Sequence, residues 1–349
     1  MRNTYILRFV LAASLTLTAG LSCVLIIEDS GWASSPSLSS PIGASRVVDA
    51  FEAASGPHPG FRRNHAKGIC VTGRFESKGN ASDLSSAVFF RQGNYPVIGR
   101  LSVAGANPSV NDTRGRLRSL ALDIRAGDES WRMALNSIPM FFIKTPEALL
   151  EQLRAAAPDP ETGVASADRM NAFRQAHPET QAFENWMDTH SPSSGFDNAP
   201  YYSVNSFRFI DASGHPHLAR WRMQPETSYA ALSDEQIEHN DPDMLSYGLV
   251  STLAKGPVRW HLILTLALPG DPVNDATQLW SRAGHREIDA GVLVIDRQQP
   301  QFDGPCRDID FNPLVLPAGI QPSDDPLLRA RGAAYAESHK RRVEETTAH

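Results

Sequence analysis

Two residues near the carboxyl end of the chain, Arg331 and Tyr335, have the types and spacing needed to present an anionic oxygen ligand. If residues 327–342 form a helix, the two side chains lie four residues apart on one face, and His339 and Arg342 continue that stripe. A neighbouring permanent cation favours a phenolate, and a phenolate can ligate ferric iron. The alternative is an Arg–Tyr pair on a helix surface, because such i,i+4 pairs are common.

A second polar cluster, Arg-Arg-Asn-His-Ala-Lys-Gly at residues 62–68, contains a histidine suited to proton transfer near neutral pH. A lone histidine can equally be structural, so the surrounding residues must decide. The cluster resembles the distal-histidine motif of the haem catalases, in which tyrosine is the axial ligand of the iron. The carboxyl end resembles their proximal-tyrosine helix through the pattern Ser323-x-Asp325-x-x-Leu328-x-x-Arg331-x-x-x-Tyr335-x-x-x-His339-x-x-Arg342. In length and wording, the smaller catalase-related peroxidases resemble this chain more closely still.

The resemblance implies a role for each matching residue. Tyr335 would ligate the iron of haem b, and His65 would move a proton between the two oxygens of peroxide. Asn136 matches the distal asparagine that hydrogen-bonds peroxide, although a turn residue before a strand is a competing interpretation. The other residues that match positions contacting or supporting the haem are Arg62, Arg100, Ser102, Arg331, His339 and Arg342.

Among these, Arg62 and Arg100 would pair with the haem propionates, which suits the bidentate geometry of arginine with a carboxylate. Ser102 would hydrogen-bond the distal histidine and hold its ring. His339 would contact the propionate region, and Arg342 would support the tyrosine.

The implied activity is a haem peroxidase that reduces hydrogen peroxide or an organic hydroperoxide with a small organic electron donor, through a ferryl intermediate. Two alternatives on the same haem are a true catalase and an enzyme that converts lipid hydroperoxides. An alternative of another class is an exported, non-catalytic haem carrier. Only seven residues follow Arg342, so we expect no carboxy-terminal helical domain, a monomer or small homo-oligomer, and an open approach that admits organic reductants.

The strands that would position these residues are short, apolar or alternating, and separated by Gly, Asn, Asp and Ser clusters. In residues 117–124, Leu120, Leu122 and Ile124 face one way and the polar residues between them the other, which predicts one buried face. Further strands are predicted at residues 69–75, 87–91, 97–103, 139–143, 203–210, 219–223, 258–268 and 291–296. This content predicts an antiparallel barrel or sandwich. The resemblance implies an α+β fold: a catalase-like antiparallel β-barrel with surrounding helices and a C-terminal proximal haem helix.

Helices are predicted at residues 45–54 and 147–156, the second beginning after the cap and first-turn proline Thr145-Pro146. Residues 158–192 are polar and helical, are divided by Pro178, and are interpreted as a connector. Because the two motifs lie at opposite ends of the body, residues 45–349 are predicted to form a single haem-binding domain.

The amino terminus carries an uncharged apolar run, residues 9–27, preceded by Arg2 and Arg8. Such a run is an export signal or a membrane anchor. Residues 1–33 are therefore assigned to the signal or anchor and residues 34–44 to a Ser/Pro linker, which places the body outside the cytoplasm, in the periplasm or anchored to the inner membrane. The net charge of −6, without a basic block, argues against a nucleic-acid partner.

The body contains only two cysteines, Cys70 and Cys306, too few for a disulfide framework. Either one disulfide or two buried thiols would fit. Cys70 follows His65 on a predicted strand and is expected to be a core residue rather than a catalytic thiol.

Overall fold

The chain folds around a closed antiparallel β-barrel. The computed structural model describes residues 43–159, 161–280 and 283–347. The strands are β1 (Gly68–Ser77), β2 (Gly93–Val103), β3 (Arg118–Ala126), β4 (Glu129–Asn136), β5 (Tyr201–Tyr202), β6 (Phe207–Ile210), β7 (Pro216–Pro225), β8 (Val258–Leu266), β9 (Glu287–Pro300) and β10 (Ile320–Pro322). Eight strands close in the order β7-β5-β4-β3-β2-β1-β9-β8, because β8 pairs back onto β7. Strands β6 and β10 extend the sheet from β7.

Seven helices are described outside the barrel. They are α1 (Ala44–Ser55), α2 (Pro146–Ala156), α3 (Ala167–Ala176), α4 (Thr180–Thr189), α5 (Asp234–His239), α6 (Met244–Leu253) and α7 (Pro326–Thr347). As predicted, the Thr145 side chain caps α2 by accepting a hydrogen bond from the amide of Ala148, and Pro146 occupies the first turn. The predicted antiparallel barrel with surrounding helices and a closing helix is thus confirmed.

Large side chains fill the barrel, as alternation along the strands requires. Leu120, Leu122 and Ile124 are each 0% exposed, and Trp131 packs edge-to-face against Trp221 with ring centroids 5.5 Å apart. The prediction that Leu120, Leu122 and Ile124 form a buried face is therefore confirmed. On the other face of β3, Ser119 and Asp123 are also buried, whereas Ala121 is half-buried and Arg125 is exposed.

Asp123, on the outward face of β3, shows how a buried charge on that face is compensated. It is 0% exposed, and its carboxylate pairs with Arg125 at 2.7 Å and with Arg132 at 3.7 Å. A buried carboxylate needs such partners, since burying a charge without them is costly.

Three local predictions differ from the structure. Residues 87–91 form a 3₁₀ turn, Val88–Phe90, rather than a strand. Residues 139–143 are irregular, and the amide of Phe141 donates to the carbonyl of Ala276 instead of to a neighbouring strand. Of the strand predicted at 203–210, only Phe207–Ile210 pairs as β6. The strand β4 was not predicted, although Trp131, Met133 and Leu135 alternate along it.

The predicted signal or anchor, residues 1–33, and most of the predicted linker lie outside the described residues. Within the described part of the chain, no helix is both long and apolar enough to span a bilayer. Cys70 on β1 and Cys306 in the segment after β9 form a disulfide with a Cα–Cα distance of 5.3 Å. Of the two alternatives left open by the sequence, the structure therefore shows the disulfide.

Candidate functional site

The predicted site residues meet in one cavity of about 540 Å³ on the outer side of the barrel, bordered by strands β2, β3 and β4 and by helices α1, α2 and α7. This volume lies within the range of cavities that enclose a small molecule or cofactor. Residues from both motifs line it, including Arg62, His65, Arg100, Ser102, Asn136, Arg331, Tyr335, His339 and Arg342. The structure thus brings together every residue for which the sequence predicted a role.

The predicted stripe on α7 is present. The guanidinium carbon of Arg331 lies 6.0 Å from the centroid of the Tyr335 ring, one helical turn away. Arg331 is held from outside the helix, because it donates one hydrogen bond to Oδ1 of Asn205 at 2.5 Å and another to the carbonyl of Ala134 at 2.9 Å. Both contacts fix the guanidinium beside the tyrosine ring.

Asn205 was missed by the sequence analysis. It is 1% exposed and lies 126 residues before Arg331, while its amide nitrogen donates to Oδ2 of Asp325 at 2.7 Å. Burial raises the pKa of the Asp325 carboxyl, and the hydrogen bond from Asn205 acts in the opposite direction. A polar network of two side chains, Asn205 and Asp325, therefore orients Arg331.

Tyr335 is half-buried, and its ring packs against a small cluster formed by the Cys70–Cys306 disulfide, Ile309 and Phe311. Among the described residues, none hydrogen-bonds its hydroxyl. A phenol oxygen that faces a cavity without a protein partner is available to a ligand.

His65 lies in a tight turn just before β1, and its φ of 56° is left-handed. This region is sparsely populated by residues other than glycine. Asn64 stabilises the turn, since its Oδ1 accepts hydrogen bonds from the amides of His65 at 2.9 Å and Gly105 at 3.0 Å. The carbonyl of Gly105 also accepts from the amide of Ala66. These hydrogen bonds hold the backbone on both sides of His65 and so fix the direction of its ring.

The predicted hydrogen bond between Ser102 and His65 is not formed. Nδ1 of His65 is buried and has no hydrogen-bond partner in the part of the chain that the structure describes. Ser102 lines the same cavity from β2, where its backbone pairs with Gly68 and Ser119, and it is 3% exposed. Because the left-handed turn sets the direction of the imidazole independently of the strand, sharing a cavity wall does not bring the two side chains into hydrogen-bond contact.

The pKa of the His65 imidazole is lowered to about 3. Burial is the largest cause, followed by the positive charges of Arg100, Arg331 and Arg62. Both effects disfavour the imidazolium. The ring is therefore neutral throughout the physiological pH range.

This shift predicts how the stability of the haem-free protein depends on pH. Below pH 6.5 the unfolded state takes up a proton on His65, whereas the folded state stays neutral down to about pH 3, so stability is lost as the pH falls through that window. Between pH 7 and pH 4.5, wild type should lose about 2 to 3 kcal/mol more of its unfolding free energy than His65→Asn. Asparagine suits the test because it tolerates a left-handed backbone.

The measurement is urea unfolding of both haem-free proteins at the two pH values. Other titrating groups are common to both proteins, so the difference between the two pH dependences isolates His65. Equal losses in wild type and variant would contradict the depressed pKa.

Asn136 is the last residue of β4, rather than a turn residue before a strand. It pairs with Ser119 of β3, and the hydroxyl of Ser119 donates to Oδ1 of Asn136 at 2.8 Å. With the oxygen engaged in this way, the amide nitrogen of Asn136 is left to donate to a ligand in the cavity.

Three arginines, which we call the arginine cluster, line the cavity without forming an ion pair with any described residue: Arg62, which is half-buried, and Arg100 and Arg342, which are buried. The pKa of Arg62 is lowered well below its usual range by burial and by the charges of the other two. Burial lowers the pKa of Arg100 to about 9 and that of Arg342 in the same direction. The carboxyl of Asp310 opposes the shift of Arg62 but forms no ion pair with it.

Protein groups hold two of these arginines in place. Arg62 donates to the carbonyls of Cys306 and Ile309, both at 3.0 Å. Arg100 donates to the side chain of Gln301 at 2.6 Å, and a Cβ on Gly68 would lie 2.6 Å from its guanidinium. Glycine at position 68 is therefore required for Arg100 to occupy this place.

Two nitrogen atoms of the arginine cluster, Nε of Arg100 and Nη2 of Arg342, are buried and have no hydrogen-bond partner within residues 43–159, 161–280 and 283–347. Buried cations without carboxylates are costly, and an anionic ligand would compensate them. His339 lies at the same edge of the cavity, and its Nε2 is 2.9 Å from the carbonyl of Asp308. The donor set therefore fits a ligand that carries carboxylates.

The polar segment 158–192 was interpreted as a connector, but its helices form part of the cavity wall. The residues that it contributes from α3 and α4 are mostly apolar and include Met170, Phe173, Phe183 and Met187. Phe142 packs on Phe183 with ring centroids 5.6 Å apart. The sequence held a signal for this in these apolar residues, which recur on otherwise polar helices.

The structure thus combines a closed antiparallel barrel with a cavity that offers a neutral histidine, and a phenol and three arginines that have no hydrogen-bonding or ion-pair partner, respectively, among the described residues. Such a cavity suits an anionic ligand. The family profile described as Catalase matches residues 59–349. This chain belongs to the catalase family.

Similar proteins include two called catalase-related peroxidase. One, from Synechococcus elongatus, is 32% identical over 85% of this chain and 88% of its own length. The other, from Mycolicibacterium paratuberculosis, is 27% identical over 85% of this chain and 94% of its own length. Among solved structures, catalase A from Saccharomyces cerevisiae matches with a TM-score of 0.74 and 21% identity over 81% of this chain. The chain spans 61% of that catalase, a likeness that concerns the fold.

Proposed function

We propose that this protein is a haem-dependent peroxidase that reduces hydrogen peroxide, or an organic hydroperoxide, with a small organic electron donor. The observation that carries the proposal is the joint lining of one cavity by His65, Asn136 and Tyr335 together with three unpaired arginines. Membership in the catalase family and similarity to catalase-related peroxidases along most of their length support it.

The cofactor in this proposal is haem b. Tyr335 would hold the iron through its phenol oxygen, with Arg342 in support, and Arg62 and Arg100 would pair with the propionates, since neither forms an ion pair with a described carboxylate. The family implies haem, and the choice of the b type rests on the resemblance of the two motifs to those of the haem catalases. When bound, the haem supplies the electrons that cleave the peroxide O–O bond.

Residues of the chain itself transfer the proton between the two peroxide oxygens. Neutral His65 accepts a proton from one peroxide oxygen and returns it to the other, so that water leaves. Its low pKa prevents the imidazolium from persisting, because burial and the nearby arginine charges both disfavour the charged ring. The amide of Asn136, fixed by Ser119, donates a hydrogen bond that holds the peroxide during the transfer.

Arg331 would support the tyrosinate. A permanent positive charge beside the ring favours the ionised phenol. Asn205 and the carbonyl of Ala134 hold the guanidinium there through two hydrogen bonds, so the charge stays next to Tyr335 rather than turning to solvent.

The proposal is tested by titrating the full-length protein with ferric haem, followed by peroxide and a phenolic donor. We expect one-to-one binding with a Soret band of high-spin, tyrosinate-ligated ferric haem, and peroxide-dependent oxidation of the donor. Oxygen evolution faster than donor oxidation would instead indicate a catalase. Haem binding without any response to peroxide would indicate a carrier, and absence of binding would refute the site.

We further propose that the protein is exported, either to the periplasm or to the outer face of the inner membrane. Two observations support this: the apolar run at residues 9–27 behind two arginines, and the Cys70–Cys306 disulfide, which is typical of oxidising compartments. Recovery of the protein in the cytosolic fraction, with both thiols free, would argue against export.

A further inference from the structure

The segment between β9 and β10 begins at Gln301 and contributes several of the contacts that hold the cavity's cationic groups. Residues 301–308 form consecutive turns without strand pairing. We call residues 301–310 the arginine-positioning segment. Such an irregular segment has few backbone hydrogen bonds to the rest of the fold, so its place depends on individual side-chain ties.

The contacts made by this segment converge on three side chains of the site. The carbonyls of Cys306 and Ile309 accept from Arg62 at 3.0 Å each. The side chain of Gln301 accepts from Arg100 at 2.6 Å. The carbonyl of Asp308 lies 2.9 Å from Nε2 of His339. A shift of the segment would therefore move both propionate-binding candidates together.

The disulfide fixes this segment to the barrel. Cys70 lies on β1, five residues after His65, and Cys306 lies within the arginine-positioning segment. Both cysteines are 0% exposed, and the amide of Cys306 donates to the sulfur of Cys70 at 3.2 Å. Gly304 packs against the same sulfur so closely that a Cβ there would lie 2.6 Å away. The tie thus joins the strand that follows the distal turn to the segment that holds the arginines.

We infer that the Cys70–Cys306 disulfide is a positioning element for the cofactor: it holds residues 301–310 so that Arg62 and Arg100 are placed to bind the two propionates. The inference rests on the proposed haem function. Because the disulfide is buried, it acts as a permanent tie rather than as a thiol–disulfide pair exchanging with solvent reductants.

The test is the rate of haem dissociation from the full-length protein into an excess of haem-scavenging apo-globin. Cys70→Ala/Cys306→Ala should release haem about tenfold faster than wild type, the loss expected when charge-assisted hydrogen bonds are weakened. Gln301→Ala keeps the disulfide but removes the tie to Arg100, and it should also release haem faster. Leu264→Ala, in the barrel core away from the cavity, is the control for lost stability alone.

The decisive comparison uses haem dimethyl ester, in which the propionates carry no charge. If the disulfide acts through the arginines, the difference between wild type and the double variant should largely disappear with the ester. A disulfide that only stabilises the fold would accelerate the release of both ligands equally, as Leu264→Ala should, and that result would overturn the inference.

Wild-type protein refolded with both thiols reduced provides a second version free of any change in side-chain volume. The reduced wild type should release haem as fast as the double variant. Failure of both proteins to fold would show that the disulfide is needed for the stability of the whole barrel, which also overturns the inference. Failure of wild type itself to bind haem would instead refute the proposed function. Haem binding by wild type with unchanged release from the variants would refute only the positioning role.

Discussion

Replacing Tyr335 with phenylalanine is expected to leave the haem-free fold intact and to remove stoichiometric haem binding. The affinity should fall by more than about 100-fold, beyond the ~10- to 100-fold cost of losing a group that only supports a metal ligand. The tyrosinate-ligated Soret band and peroxide-dependent oxidation of a donor should be lost with it. The measurement is a haem titration followed by absorption spectroscopy, with peroxidase assays on the same samples.

The contrast between folding and binding follows from the contacts of this one side chain. Its ring packs beside Arg331 and against the disulfide cluster, and phenylalanine preserves those contacts. Its hydroxyl is not hydrogen-bonded by any described residue, so removing it orphans no buried partner. The unfolding free energy of the haem-free protein should therefore change by less than about 0.5 kcal/mol.

A matched control is Tyr247→Phe, which removes the same hydroxyl from a side chain that is 62% exposed on α6. That variant should bind haem as wild type does. Unchanged haem affinity and an unchanged spectrum in Tyr335→Phe would show that another group ligates the iron, and a large loss of apo-protein stability would show that the hydroxyl has a structural partner.

Local patterns were sufficient to predict the elements that carry the two motifs. The helix that presents Arg331 and Tyr335 extends from Pro326 to Thr347, and the cap and proline at Thr145-Pro146 begin α2. These features depend on residues within one or two turns of each other. The sequence is most informative where the deciding interactions join residues that are close together in the chain.

The errors lie where neighbours distant in sequence decide the conformation. Residues 139–143 are apolar enough for a strand, but Pro139 cannot donate a backbone hydrogen bond and Phe141 pairs with Ala276 instead. Conversely, buried apolar residues alternate with more exposed ones along β4, as in a strand, but its charged residues obscured this pattern in the sequence. Segment 158–192 appears polar, yet its few apolar residues form a cavity wall because α3 and α4 fold back over the site.

The site shows the same division. The identities of His65, Tyr335 and the arginines could be predicted from the motifs, whereas the groups that hold them could not. Asn205 is 126 residues from Arg331, and Cys306 is 236 residues from Cys70. Such contacts are set by barrel closure and by the course of the chain after β9, and no local period or spacing encodes them.

Replacing His65 with asparagine should separate peroxide chemistry from cofactor binding. The kcat/KM for hydrogen peroxide should fall by about 10²- to 10⁴-fold, the usual contribution of a positioned general acid–base group. Haem affinity should change little, because the residues proposed to hold the haem, Tyr335 and the arginine cluster, are unaltered. Stopped-flow reaction of the haem-loaded variant with peroxide measures the first effect, and haem titration measures the second.

The choice of asparagine makes the outcome interpretable. It tolerates the left-handed φ of 56° and can still hydrogen-bond peroxide, but it cannot accept and return a proton at neutral pH. His239→Asn, an exposed change at the end of α5, should react as wild type does.

Burial is the largest cause of the lowered pKa of His65, and it does not depend on the arginine charges that haem propionates would offset. The ionisation of the wild-type imidazole should therefore produce no inflection in the rate of the peroxide step between about pH 4.5 and pH 7.5. An imidazole with so low a pKa is almost never protonated before peroxide binds, so it can accept the peroxide proton. The short-lived imidazolium that then forms is a strong acid, and it returns the proton quickly. Peroxide consumption by His65→Asn at the wild-type rate would assign proton transfer to solvent or to another residue. It would leave haem binding, without catalysis by His65, as the role of this cavity.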